Sequence, residues 1–321
     1  MVENVTLRKA YDLFLLNREA FCGDKTVFNY TNTLRYFIDF LEGEYEVPAE
    51  EIYVHEIDIH DLNDYSIYLK TKVKNSGHPF FPVNEEKYIS DRTRKTYLVD
   101  MRTFINFLYN EGYIDTNPMK KFRMPRVGNK IIEPLTNDEA RIIDDNFNIN
   151  HASGCRNLAI FHCLLDEGMR TGEVINLKID DVKFDKEYLV IRLSKARKSR
   201  LLPLSRVTSK YLKRYIAEKR PKVNHPYVFC VEDGGRLTQD AIKSIFQRMR
   251  ASTGIKRVYP HLLRHTFGTS FILGGGSVEI LRVLMGHSDI KTTENYLHIA
   301  NELKFMDDIY RLDKVFLNKF Y

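Results

Sequence analysis

The chain has 321 residues, 43% of them hydrophobic and 29% charged, with 49 Lys+Arg against 43 Asp+Glu. At roughly 100–200 residues per domain this length predicts two domains, and the composition excludes a disordered, collagenous or repeat-like chain. No run approaches the ~18 apolar residues of a membrane span and the start MVENVTLRKAYDLF lacks a signal peptide's pattern, so the cytoplasm is the expected compartment.

Helix-like apolar spacing covers 6–20, 24–41 and 59–72, and is clearest over 90–112. There Ser90 can cap the start, Leu98, Met101, Ile105 and Leu108 share one face, and Gly112 sits where a helix commonly ends. Arg92, Arg94, Lys95 and Arg102 are then predicted to project away from that face, where they can lie on DNA or simply meet solvent. Residues 115–135 combine prolines, a glycine and many cations with little periodicity, which reads as a basic linker; Lys120, Lys121 and Arg123 are its candidate phosphate contacts.

A second domain opens at Thr136, because Glu139 three residues later completes a capping box. A helix over 154–167 ended by Gly168 follows, then two short strands over 188–204 flanking the basic turn SKARKS. Helices resume at 206–219, 238–251, 260–273, 277–286, 289–299 and 302–319. The predicted fold is therefore mainly α with a small β-sheet: a helical domain over 1–114, the linker over 115–135, and an α+β domain over 136–321.

Charge is distributed unevenly along this plan: −8 over residues 1–86, +6 over 87–130 and +8 over 131–321. A basic majority suits a polyanionic partner, since Lys and Arg contacts to phosphate dominate non-specific nucleic-acid affinity. A solubilising surface would have the same composition. Cys22, Cys155, Cys163 and Cys230 show neither CxxC nor zinc-ligand spacing, and are expected as buried, reduced thiols.

Three segments concentrate the polar groups that phosphoryl transfer needs: EGMRTGEVINL (167–177), SKARKS (194–199) and HLLRHTFGTS…LMGHSDIKTTENYLH (261–298). Arg170 and Glu173 stand three apart, so a carboxylate can orient a guanidinium. His261 and Arg264 are also three apart on a helix begun near Pro260, which puts an imidazole beside a fork suited to two phosphate oxygens. His287 and Tyr296 follow. Singly, each has a bland reading, as a surface ion pair or a half-buried packing residue; together they do not.

In this order, Arg170, Lys195, His261, Arg264, His287 and Tyr296, with GMRTGE, PHLLRH and MGHSDIKTTENYLH around them, the sequence resembles the tyrosine recombinase (phage integrase) family. The resemblance is close over about 136–300 and looser before it. It implies a helical core-binding domain and an α+β catalytic domain closing on duplex DNA as a C-shaped clamp. It implies Tyr296 as nucleophile, leaving a 3′-phosphotyrosyl enzyme and a free 5′-hydroxyl, without metal, ATP or other cofactor.

The same resemblance assigns Arg170 and Arg264 to the non-bridging oxygens and Lys195 to the departing 5′-oxygen, with Lys198 on the same turn as the alternative and a DNA-contact candidate. His261 becomes the acid/base partner of Tyr296, His287 a hydrogen-bond donor to the phosphate, and Glu173 a support for the basic cluster. The partners implied are an inverted-repeat DNA site and three further copies of the chain forming a tetramer on it, from protomers that need not associate in solution, with room for an accessory or directionality protein. The terminal stretch after Tyr296, apolar at Leu303, Met306, Ile309, Val315, Phe316 and Phe320, would dock on a neighbouring protomer. With the chain starting almost at the core-binding helices, an Xer-like or small transposon enzyme without an arm-binding domain is expected.

Two other readings compete. A type IB topoisomerase shares the Arg, Lys, Arg, His and Tyr chemistry but reseals the original strand; the HLLRH and MGHSDIKTTENYLH contexts favour a recombinase. A DNA-binding protein that has lost catalysis would lack the nucleophile or an arginine, and here all six residues stand.

Overall fold

The computed structural model describes residues 4–76, 84–128, 132–192, 199–287 and 289–317, with side chains up to 304 in the last helix. The chain divides into two compact units, with the boundary between Asn129 and Lys130.

The first unit packs α1 (Leu7–Phe21), α2 (Asp24–Tyr45), α3 (Ile59–Thr71) and α4 (Asp91–Asn110) around one aromatic core. Local chemistry sets the helix starts: Thr6 accepts from the Lys9 amide, Asp58 and Asp61 form a reciprocal capping box, and Ser90 accepts from the Thr93 amide. Phe14 meets Tyr30, Phe104 and Phe107 edge-on at 5.2–5.4 Å, tying α1 to α2 and α4. α2 runs one turn further than its apolar spacing predicts, stopping where Glu46 turns left-handed.

A short antiparallel pair, β1 (Val73–Lys74) and β2 (Asn84–Tyr88), lies between α3 and α4 and was not foreseen. Within the segment expected as a linker, Met119 and Phe122 are buried in the first core and Leu135 in the second. Arg94 also departs from expectation, because its Nη2 donates to Ser66 Oγ on α3 at 3.0 Å and its side chain is mostly buried. Arg92, Lys95, Lys120, Lys121 and Arg123 are exposed.

The second unit is built on α6 (Ala152–Leu165), apolar on nearly every face and buried from Leu158 to Leu164. Around it lie α5 (Asn137–Asp145), α7 (Thr171–Asn176), α8 (Arg206–Arg214) with a π-helical continuation to Lys219, α9 (Gln239–Thr253), α10 (Pro260–Leu273), α11 (Val278–Met285) and α12 (Lys291–Leu317). The two helices expected over 289–319 are this single α12; no Gly or Pro interrupts it, so nothing breaks its hydrogen-bond ladder.

A three-stranded antiparallel sheet, β3 (Val182–Lys183), β4 (Tyr188–Ile191) and β5 (Arg200–Pro203), completes the unit. Leu189 pairs with Val182 on one side and Leu202 on the other. The two-residue alternation of β5 turns Arg200 and Leu202 inward together. At the end of α6, His162 is held between Asp166 (2.8 Å) and Asp144 (2.7 Å), and the Ser205 amide donates to Glu167. These ties fix the stretch that leads into Arg170. Cys155, Cys163 and Cys230 are buried free thiols, whereas Cys22 is partly exposed.

Candidate active site

Arg170, Glu173, Arg264, His287 and Tyr296 converge in the second unit, although up to 126 positions separate them in the sequence. Arg170 is the N-cap of α7. Its amide and its Nη1 both donate to Glu173, at 2.8 and 3.0 Å, and its Nη2 donates to the Gly286 carbonyl at 2.9 Å. Arg264, one turn into α10 and 4% exposed, donates to the carbonyls of Gly168 and Met285. Burial and the neighbouring Arg170 lower its pKa to about 10, so it is still a cation at neutral pH.

The turn after α11 brings in His287. Gly286 there is left-handed (φ +61°), and a Cβ would stand 3.0 Å from Arg200 Nη1, so both the conformation and the space call for glycine. His287 Nε2 lies 3.0 Å from Arg264 Nη2, and Nδ1 lies 3.0 Å from Thr293 Oγ1. A guanidinium only donates, so Nε2 accepts and the ring proton sits on Nδ1, shared with Thr293. His287 here offers Arg264 a lone pair and has no spare N–H for a phosphate, which revises the donor role expected of it.

Tyr296, one turn beyond Thr293 on α12, lays its ring on α10 at Gly268, where an added Cβ would come within 2.7 Å of the ring. Its ring stacks parallel to His287 at 6.3 Å and faces His265 at 5.2 Å. Burial raises the phenol pKa, against the pull of Arg264 and Arg170. No described residue hydrogen-bonds its hydroxyl, which leaves that oxygen available to a substrate. His261 is exposed in the first turn of α10 and has no described contact with Tyr296. The imidazole of α10 against Tyr296 is instead His265, whose Nε2–H donates to the Ile132 carbonyl at 2.7 Å. Lys195 and Lys198 lie outside the described residues.

Arg200 escaped the sequence reading except as a strand marker. It is 8% exposed and grips Glu173 with both terminal nitrogens, at 2.8 and 2.9 Å. Those contacts, helped by Arg170, hold Glu173 below the usual carboxylate range despite its burial. The signal available was a lone Arg at an inward position of β5, a place where apolar residues are the rule. No cluster of His, Cys, Asp and Glu fit to hold a metal occurs among the described residues.

The profile of the phage integrase family matches residues 133–302, which contain every site residue above, and the phage integrase SAM-like domain matches 8–124. The chain belongs to the phage integrase family. It is a tyrosine recombinase. Similar proteins include the tyrosine recombinase XerD of Listeria innocua, 26% identical over 86% of this chain and 96% of that one. A tyrosine recombinase of Thermosipho africanus is 32% identical over 67% of this chain and 74% of its own length. Among solved structures, the Tn1549 transposon integrase in complex with a circular intermediate DNA shares the fold with a TM-score of 0.73 at 17% identity, covering 91% of this chain and 94% of that one. XerH bound to palindromic difH gives 0.69 at 19% identity, covering 92% and 82%.

The recombinase's His287 makes its stability pH-dependent. Burial first, then Arg264, Arg170 and Arg200, push its pKa down to about 4, whereas in the unfolded chain it titrates near 6.5. Its contribution to folding is therefore complete above pH ~6.5 and is lost as pH falls toward ~4, amounting to at most about 3 kcal/mol before solvent screening. Thermal melts from pH 7.5 to 4.5 are expected to show the wild type losing stability faster than His287→Gln, whose side-chain oxygen can still accept from Arg264. Parallel curves would contradict the assignment.

Proposed function

We propose that this recombinase cuts and rejoins duplex DNA at a specific site, with Tyr296 Oη attacking the scissile phosphodiester. A 3′-phosphotyrosyl bond forms, the 5′-oxygen leaves as a hydroxyl, and attack by a 5′-hydroxyl from another strand reverses the step and frees Tyr296. The observation that carries the reading is the convergence of Arg170 and Arg264, each held by carbonyl or carboxylate partners, close enough to Tyr296 to act on its ionisation. A phenol of ordinary pKa ~10 lies ~3 units from half-ionisation at pH 7, an uphill step of about 4 kcal/mol. Two preorganised guanidiniums facing the charge that develops on the phosphate supply stabilisation of that order.

In this reading Arg170 and Arg264 bind the non-bridging oxygens, Glu173 orients Arg170, and His287 holds Arg264 through its lone pair. Lys195 protonates the leaving 5′-oxygen and His261, exposed beside Arg264, is the acid/base group for Tyr296; both roles rest on the family resemblance. Duplex DNA is the substrate, with Arg92, Lys95, Lys120, Lys121 and Arg123 as exposed cations available to its phosphates. XerH, a structural neighbour bound to a palindromic difH substrate, supports an inverted-repeat site. A tetramer of protomers on paired sites, an accessory protein and a place in the cytoplasm follow from the same resemblance.

The test is a covalent trap. The protein is incubated with nicked duplexes carrying inverted repeats from the DNA flanking its gene, with no added metal or ATP, and run on a denaturing gel. The expected result is a denaturant-resistant adduct whose tryptic map places the nucleotide on Tyr296. Tight DNA binding with no adduct on any flanking repeat would overturn the reading in favour of binding without chemistry.

A further inference from the structure

Three guanidiniums close the end of α11, one for each of three successive carbonyls. Arg200 Nε donates to Leu284 at 2.7 Å, Arg264 Nη2 to Met285 at 2.7 Å, and Arg170 Nη2 to Gly286 at 2.9 Å. This is the negative end of the helix dipole, where cations are favoured, and it is the turn that delivers His287. Arg170 and Arg264 are the phosphate ligands of the reaction proposed above. Arg200 is different: its Nε serves Leu284, its Nη1 and Nη2 serve Glu173, and it is buried, so it has no face to offer a phosphate.

We propose that Arg200 is a positioning residue for strand transfer, locking Glu173 to the end of α11 so that Arg170 stands ready for the scissile phosphate. This inference rests on the recombinase reading of the site. Glu173 receives four hydrogen bonds, two from Arg200 and two from Arg170. Take away Arg200 and the carboxylate is held only by the residue it is meant to orient, while Leu284 loses its donor. Fold stability alone is a weak reason for such a pair, since buried ion pairs seldom outperform apolar packing of the same volume. Lysine cannot replace it, because a single ammonium cannot span the Glu173 fork and the Leu284 carbonyl at once.

The test uses Arg200→Lys in the full-length chain, with Glu173→Gln as a second variant if the first folds poorly. Cleavage of the nicked duplex at saturating DNA is expected to fall roughly 10–100-fold with DNA affinity unchanged, a loss in kcat and not in KM. The acid limb of the rate moves to higher pH, as Glu173 loses its main partner. Arg170→Lys combined with Arg200→Lys is expected to be no worse than Arg170→Lys alone, because both act through one guanidinium, whereas a general packing defect would add to it. Amide exchange over 284–287 speeds up about 10-fold while the rest of the second unit keeps its protection. Wild-type cleavage by Arg200→Lys, additivity in the double variant, or uniform loss of protection would each overturn the inference. If the wild type itself forms no adduct, the recombinase reading fails on its own, and the exchange pattern still decides whether Arg200 holds this turn.

Discussion

Tyr296→Phe is expected to lower covalent strand cleavage by at least about four orders of magnitude, with DNA affinity and melting temperature within error of the wild type. The two halves of this result come from different parts of one side chain. The ring provides the packing: it rests on Gly268 and lies beside His265 and His287, and phenylalanine keeps all of that. The hydroxyl is the proposed nucleophile and has no described partner, so removing it leaves no donor or acceptor stranded. A gel-shift titration, a melt and the trapping assay on one preparation check the prediction. An adduct that survives the substitution would place the nucleophile on another residue, while a drop in melting temperature of many degrees would show that the hydroxyl serves the fold.

What could be seen in the sequence follows how local the physics is. The helix starts at Ser90 and Thr136 were legible because a cap and its partner lie within three residues. The order and surroundings of Arg170, Glu173, Arg264, His287 and Tyr296 pick out residues that converge in the second unit, yet their partners were not legible. Arg200 meets Glu173 across 27 positions and Leu284 across 84, and no periodicity reports a contact of that range. His265 was hidden for a similar reason: HLLRH offers two imidazoles, and only the packing of α12 on α10 shows which one faces Tyr296. Arg94 looked solvent-facing from the spacing of α4 alone, because Ser66 belongs to another helix. The β1–β2 pair carries Lys, Asn and Glu with no apolar alternation, so nothing in Val73–Lys74 or Asn84–Tyr88 marks a strand.

Arg264→Ala should damage both stability and catalysis, and Arg264→Lys should separate them. Arg264 is almost completely buried and is the donor that the Gly168 and Met285 carbonyls and the His287 Nε2 share. Truncation to alanine strands these acceptors, each at about 1–3 kcal/mol if water does not reach it, so a loss of several kcal/mol is expected. It also removes a charge that we propose faces the reacting phosphate, for which about 10³-fold in cleavage is the expected scale. Lysine restores the charge but satisfies one acceptor at a time, so Arg264→Lys should regain part of the stability and little of the rate. The His287 ring supplies an independent gauge. Arg264 is the largest electrostatic cause of its lowered pKa after burial, so in Arg264→Ala the ring should titrate well above ~4, visible by NMR of the imidazole protons. A lysine variant that cleaves at the wild-type rate would show that the guanidinium fork is dispensable, and with it the view that this framework of carbonyls and carboxylate exists to aim the two arginines at a phosphate.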